Sequence, residues 1–164
     1  MRTAAEPTSA IHHQPPGWFT RTFVNRPIAA FTRAGVSVWG SRVLEVQGRR
    51  TGQWRSTPVN LHHHDGVAYL VAPRGQTQWV RNLRAAETGR LRLGRRRWDV
   101  TATELHPDEA PAVLRSYLRR WKWEVGQFFH GVGPDAPDAD LRRIAVDHPV
   151  FRIEVGPAYR IDAG

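Results

Sequence analysis

The chain has 164 residues, a length that suits one domain with a single core. It contains no cysteine, which excludes disulfides, thiolate metal centres and cysteine nucleophiles. The formal net charge is +9, almost all of it from arginine because Lys122 is the only lysine, and such a balance favours polyanionic partners.

No run of eighteen apolar residues occurs, so no transmembrane helix is expected. Arg2 is followed by no apolar stretch, so the N-terminus does not read as a secretory signal, and a cytoplasmic location is the expectation. Residues 1–16 are small, polar and proline-rich and read as a disordered tail, leaving 17–164 as the folded domain. From Trp18 the pattern turns helical: Phe19 and Phe23 lie four apart, Ile28 and Phe31 three apart. With Pro27 inside it, 18–34 is predicted as a broken amphipathic helix.

Strand patterns follow. Val43–Val46 is a predicted strand, ending at the turn Gly48-Arg49-Arg50-Thr51-Gly52. A second covers 54–63, with Pro58 marking a bulge or an edge. Asp65-Gly66 is a hairpin signal, and Val67–Ala72 is the third strand. After the loop Pro73–Gln78, Trp79, Leu83 and Ala86 share one face of a helix. Leu91 and Leu93 alternate with arginines in a fourth strand, and Trp98, Val100 and Ala102 alternate with polar residues in a fifth. Pro107-Asp108-Glu109 opens a helix running to about Trp123, whose apolar set is Val113, Leu114, Tyr117, Leu118 and Trp121. A loop over 131–139, a short helix over 140–146 and a last strand, Val150–Val155, complete the chain. The sum is a mainly β protein with helices: about six antiparallel strands, whose closure into a split barrel would remove exposed edges.

Two loops concentrate anion-binding groups. The turn Gly48–Gly52 brings two glycines, two guanidinium groups and a hydroxyl together, with Arg55, Ser56 and Thr57 one strand length away. An arginine–glycine turn is more often only a turn, so this alone assigns nothing. The second loop, Ala72-Pro73-Arg74-Gly75-Gln76, ends a strand just before a helix, where free N–H groups attract anions.

Together these segments resemble the deazaflavin-dependent nitroreductase family. The matching residues are Gly48, Arg49, Thr51, Gly52, Arg55 and Pro58, the hairpin Asp65-Gly66, then Ala72, Gly75, Trp79, Asn82 and Leu83. The likeness covers roughly 20–155. It implies a six-stranded split β-barrel with N-terminal, middle and C-terminal helices that binds the 8-hydroxy-5-deazaflavin coenzyme F-420. That coenzyme's phosphate and oligoglutamate tail suit an arginine-rich groove, and its C5 carries hydride to an organic acceptor. The cofactor then supplies the chemistry, and no protein nucleophile or metal is needed. The implied coenzyme-binding residues are Gly48, Arg49, Arg50, Thr51, Gly52, Arg55, Ser56, Thr57, Pro58, Ala72, Pro73, Arg74, Gly75, Gln76 and Trp79. Two departures stand out. Pro73 replaces a serine of the family pattern, and where the family carries tyrosines beside the substrate this chain offers Tyr117, Trp121, Phe128 and Phe129. These aromatics are the candidate acceptor pocket, and an apolar quinone, enone or nitroaromatic is the expected acceptor.

Other signals are weaker. His62-His63-His64 precedes a hairpin with only Asp65 as a nearby acid, so solvated or ligand-edge histidines are expected rather than a metal site. Trp121 and Trp123 lie two apart and cannot both face inward. The basic run Arg90–Arg97 reads as the wet face of a strand pair. Two alternatives remain: a non-catalytic flavin or lipid carrier in the same barrel, with FMN the competing cofactor, and a basic nucleic-acid module supported by the Trp/Arg interleaving at 79–98. No nucleic acid is expected on the first reading. A homodimer and peripheral membrane contact are compatible with it.

Overall fold

The computed structural model describes residues 41–160, all within the second of two compact units, Gly35–Gly164. The predicted tail and first helix lie outside the described residues. The described chain runs β1 (Ser41–Gln47), β2 (Trp54–His64), β3 (Val67–Val71), α1 (Gln78–Ala86), β4 (Thr88–Leu93), β5 (Arg96–Glu104), α2 (Pro111–Val125), α3 (Asp138–Asp147) and β6 (Val150–Arg160). The strands form a closed antiparallel barrel in the order β1-β2-β3-β6-β5-β4, with β4 pairing back onto β1. The predicted mainly β barrel with helices is therefore the fold.

Local chemistry explains the corners. Asp65 and Gly66 both take positive φ (49° and 78°), which gives the β2–β3 hairpin the twist of its strands. Pro58 sits opposite Val43 in unbroken register, in the part of β2 that pairs with β1 alone. Among the described residues the other side of β2 is unpaired there, which is where a residue without a donor is tolerated, and the edge reading holds. The bulge lies elsewhere, between Trp98 and Val100 of β5, opposite the Gly156-Pro157 step of β6. A glycine–proline step reads as a strand terminator, yet the strand continues to Arg160. Pro107–Glu109 is a 3-10 turn capped by His106 rather than the first turn of α2, because Pro111 has no N–H to continue an α-helix from Pro107.

Two apolar clusters result. Inside the barrel, Leu44, Val46, Leu61, Leu70, Leu91, Val100, Phe151 and Ile153 meet Val80 and Leu83 of α1. Outside it, Val113, Leu114, Tyr117, Leu118, Trp121 and Val125 of α2 pack with Phe129, with Leu141 and Ile144 of α3, and with Val71 and Val150. The whole predicted apolar set of α2 is buried. Of the tryptophan pair, Trp121 turns inward and Trp123 is 79% exposed. Among the described residues, no helix is long and apolar enough to cross a membrane.

Candidate functional site

The two predicted anion-binding loops meet at the start of α1. The Gly48–Gly52 turn is closed internally. Gly48 N–H donates to Gln53 O at 2.8 Å, and the Thr51 and Gly52 N–H groups donate to Gly48 O at 3.1 and 2.7 Å. The turn is then tied to the helix by Arg49, whose Nη1 donates to Gln78 Oε1 (3.0 Å) and Asn82 Oδ1 (2.9 Å), while its backbone N–H donates to the same Asn82 oxygen at 3.2 Å. Arg50 is exposed, as are Arg55, Ser56 and Pro58, with Thr57 half-buried beside them. The Arg55 stem runs along the turn, and its Nη2 lies 3.5 Å from Gln53 Oε1.

The second loop leads directly into α1. Gly75 N–H donates to Ala72 O (3.0 Å) and Thr77 N–H to Gly75 O (2.8 Å). Gly75 has φ +72°, and a Cβ there would stand 2.9 Å from Asp147 O. Gly75→Ala should therefore destabilise the protein by about 1–2 kcal/mol from the left-handed backbone alone, read as a shift of the denaturant midpoint. An unshifted midpoint would show that the loop relaxes freely. Behind the loop, His148 Nδ1 lies 3.3 Å from Ala72 O, Ala72 N–H donates to Pro149 O at 2.9 Å, and Gln76 Nε2 reaches Val146 O at 3.5 Å. The end of α3 thus holds the loop from below.

At the helix start itself, Thr77 occupies the N-cap position without capping: its Oγ1 is buried and has no partner. The first-turn N–H groups are also not capped by a side chain, and no acid lies in that turn. An uncapped N-terminus with Arg49 bonded to its first residue, Gln78, fits a phosphorylated, acidic coenzyme. Trp79 is half-buried, its ring 6.0 Å from that of Phe151.

The four pocket candidates separate. Tyr117, Trp121 and Phe129 are 1%, 2% and 0% exposed, within the outer cluster. Phe128 is half-buried at the edge of that cluster, with the Arg74 guanidinium 5.2 Å over its ring. Phe129 stacks 4.4 Å from the His148 ring. The aromatic segment after α2 therefore borders the Pro73–Gln76 loop through Arg74 and His148.

Two expectations need correction. Of the three histidines, His63 is exposed and His64 half-buried, but His62 is not solvated. It is 2% exposed, its Nε2 lies 3.0 Å from Ser116 Oγ, and its ring stands edge-on to Tyr117 at 5.6 Å. Burial first, then Arg120, His64 and His63, push its pKa down to about 4. Nor is the basic hairpin only a wet face. Arg92 and Arg97 converge on Glu45, 8% exposed, at 3.2 and 3.0 Å, and Arg90 pairs with Asp99 at 3.3 Å. The tryptophans of the nucleic-acid alternative, Trp79 and Trp98, are half-buried and pack against the barrel core. Among the described residues, no group of three or more histidine or acidic side chains is placed to hold a metal.

The closed barrel and the two loops that converge on α1 define a split-barrel protein. Residues 19–128 match the model of the F420H(2)-dependent quinone reductase family, a stretch that includes both loops and α1. The chain belongs to that family: it is a deazaflavin-dependent reductase whose coenzyme is F-420. No curated protein matches it. Three solved structures share the fold, each with a TM-score of 0.51. Atu2129 of Agrobacterium tumefaciens, of unknown function, is 17% identical, over 73% of this chain and 50% of its own. The chain thus spans about half the length of that protein. General Stress Protein 26 of Bacillus anthracis is 15% identical over 84% and 95%. A protein described as a domain-swapped dimer is 20% identical over 83% and 97%.

Proposed function

We propose that this reductase passes hydride from the reduced deazaflavin coenzyme to an apolar organic acceptor of the quinone class. The observation that carries the reading is the meeting of Gly48–Gly52 and Ala72–Thr77 at an uncapped helix start, within the stretch that defines the family. The anionic groups of the coenzyme are assigned to the Gly48–Gly52 turn, Arg55, Ser56, Thr57 and Pro58. Its ring is assigned to the strand end and loop formed by Ala72, Pro73, Arg74, Gly75 and Gln76, with Trp79 behind. When bound, the coenzyme supplies a hydride from C5. The protein's part is to hold ring and acceptor in contact at roughly 3–3.5 Å and to keep water away. Phe128 under Arg74 is the proposed acceptor contact, and Tyr117, Trp121 and Phe129 form the packed wall behind it. Pro73, where the family pattern has a serine, leaves acceptor orientation to shape rather than to a hydroxyl.

A second copy of the chain is the proposed partner, supported by the neighbour described as a domain-swapped dimer. A cytoplasmic protein with a net charge of +9 and a lipophilic acceptor also suits peripheral contact with an anionic membrane.

The test is a fluorescence titration with the deazaflavin coenzyme, FMN and FAD side by side. The deazaflavin should bind much more tightly than FMN, and its affinity should fall as salt is raised, because exposed arginines are screened. FMN binding as tightly or more tightly would refute the assignment. Binding with no turnover on quinones, enones or nitroaromatics would favour the carrier alternative.

A further inference from the structure

Arg49 and Arg50 are adjacent in sequence and opposite in surroundings. Arg49 is held at both ends by one atom, since its backbone N–H and its Nη1 both donate to Asn82 Oδ1, and Nη1 also donates to Gln78 Oε1. Asn82 is 6% exposed, and a buried amide is tolerated only when hydrogen-bonded. Its oxygen therefore joins the turn to α1 across 33 residues of sequence. The other donors of the turn are also used: Gly48, Thr51 and Gly52 bond within it, and Gln53 N–H lies 3.4 Å from Thr51 Oγ1. Those bonds leave over the Arg50 N–H, with the exposed Arg50 and Arg55 side chains beside it.

We infer that Asn82 and Arg49 are a positioning pair, which locks the Gly48–Gly52 turn onto α1 so that Arg50 and Arg55, and not Arg49, take the anionic group of the coenzyme. The inference rests on the coenzyme site proposed above. It divides the three arginines of that site into one that builds the turn and two that bind. It also gives a physical role to Asn82, whose place in the family pattern carries none by itself. Without that lock the turn would keep its internal bonds but lose its fixed position against α1, and fixing that position at each binding event would weaken affinity.

The experiment is a double-mutant cycle on coenzyme affinity, measured by fluorescence titration of the full chain with oxidised F-420, using Asn82→Ala, Arg49→Gln and both together. Circular dichroism checks each fold, and Arg49→Gln, on the exposed side of the contact, serves if Asn82→Ala does not fold. Each single variant should weaken binding about tenfold, and the double variant should be no weaker than either single, because both remove one lock. Arg50→Gln and Arg55→Gln should weaken binding at low salt and flatten its salt dependence, whereas Asn82→Ala, which changes no charge, should keep the wild-type salt dependence. Wild-type affinity in both Asn82→Ala and Arg49→Gln, or a double variant whose loss is the product of the single losses, overturns the pairing while leaving the coenzyme site intact. A wild-type protein that does not bind the coenzyme removes the site itself, and the pairing falls with it.

Discussion

Phe129→Ala should lower the unfolding free energy by about 3–5 kcal/mol, the range for truncating a fully buried phenylalanine. Phe129 is 0% exposed and touches aromatic rings on two sides, His148 at 4.4 Å and Tyr117 at 6.3 Å. It belongs to the outer cluster that joins α2, α3 and the start of β6, so its loss leaves a cavity no single element can collapse to fill. Phe128→Ala should behave differently. That ring is half-buried beneath Arg74, so its removal should cost little stability and fall on acceptor turnover. Denaturant midpoints and turnover measured on both variants separate the two roles. If Phe129→Ala keeps the wild-type midpoint and loses only turnover, Phe129 lines the acceptor pocket directly and the packing account of it is wrong.

What was legible in the sequence was local. Asp65-Gly66 announces its hairpin because positive φ at two successive residues admits few side chains. The apolar spacing of α2 names its buried face, and the Trp121/Trp123 spacing requires that one tryptophan stay outside. The arginine–glycine turn and the loop before Trp79 are recognisable through the family pattern, and the structure brings both to one helix start. What was not legible was pairing over distance. Asn82 reaches back to Arg49, His62 forward to Ser116, and Glu45 to Arg92 and Arg97 on two other strands. No turn or period records such contacts, since barrel closure sets them. The bulge at Gly156-Pro157 escapes a sequence reading for the opposite reason: its local signal says stop, and pairing with β5 overrides it. The aromatic run after α2 reads as a pocket lining because its composition suits either a pocket or a core. Only packing shows that Tyr117, Trp121 and Phe129 lie within, and Phe128 at the edge.

The same buried contacts predict how the protein fails in acid. His62 has its pKa pushed down to about 4, first by burial and then by Arg120 and its histidine neighbours, while in the unfolded chain a histidine titrates near 6.5. His148 is also shifted downward, burial outweighing its contact with the Ala72 carbonyl. A depressed folded-state value means that between the two values the unfolded chain binds a proton the folded chain refuses. The stability contributed by a neutral His62 is therefore fully present above about pH 6.5 and is lost as pH falls towards 4. Each unit in that window should cost about 1.4 kcal/mol for a group so shifted, on the order of 3 kcal/mol in all. His148 adds to the loss in the same direction. Denaturant unfolding at a series of pH values from 7.5 to 4 should show this acid limb, and His62→Gln, which cannot be protonated, should have a shallower one than the wild type. A wild-type curve flat across that window, or a His62→Gln curve as steep as the wild type's, would mean that Ser116 and Tyr117 open to admit the charged ring at little cost. The site has a stake in the outcome, because His148 supports the Ala72 carbonyl. The bond to Ala72 O favours the charged ring while burial opposes it more strongly, so coenzyme affinity should fall only where burial of the charge opens the packing around His148, with stability and binding declining together in the wild type.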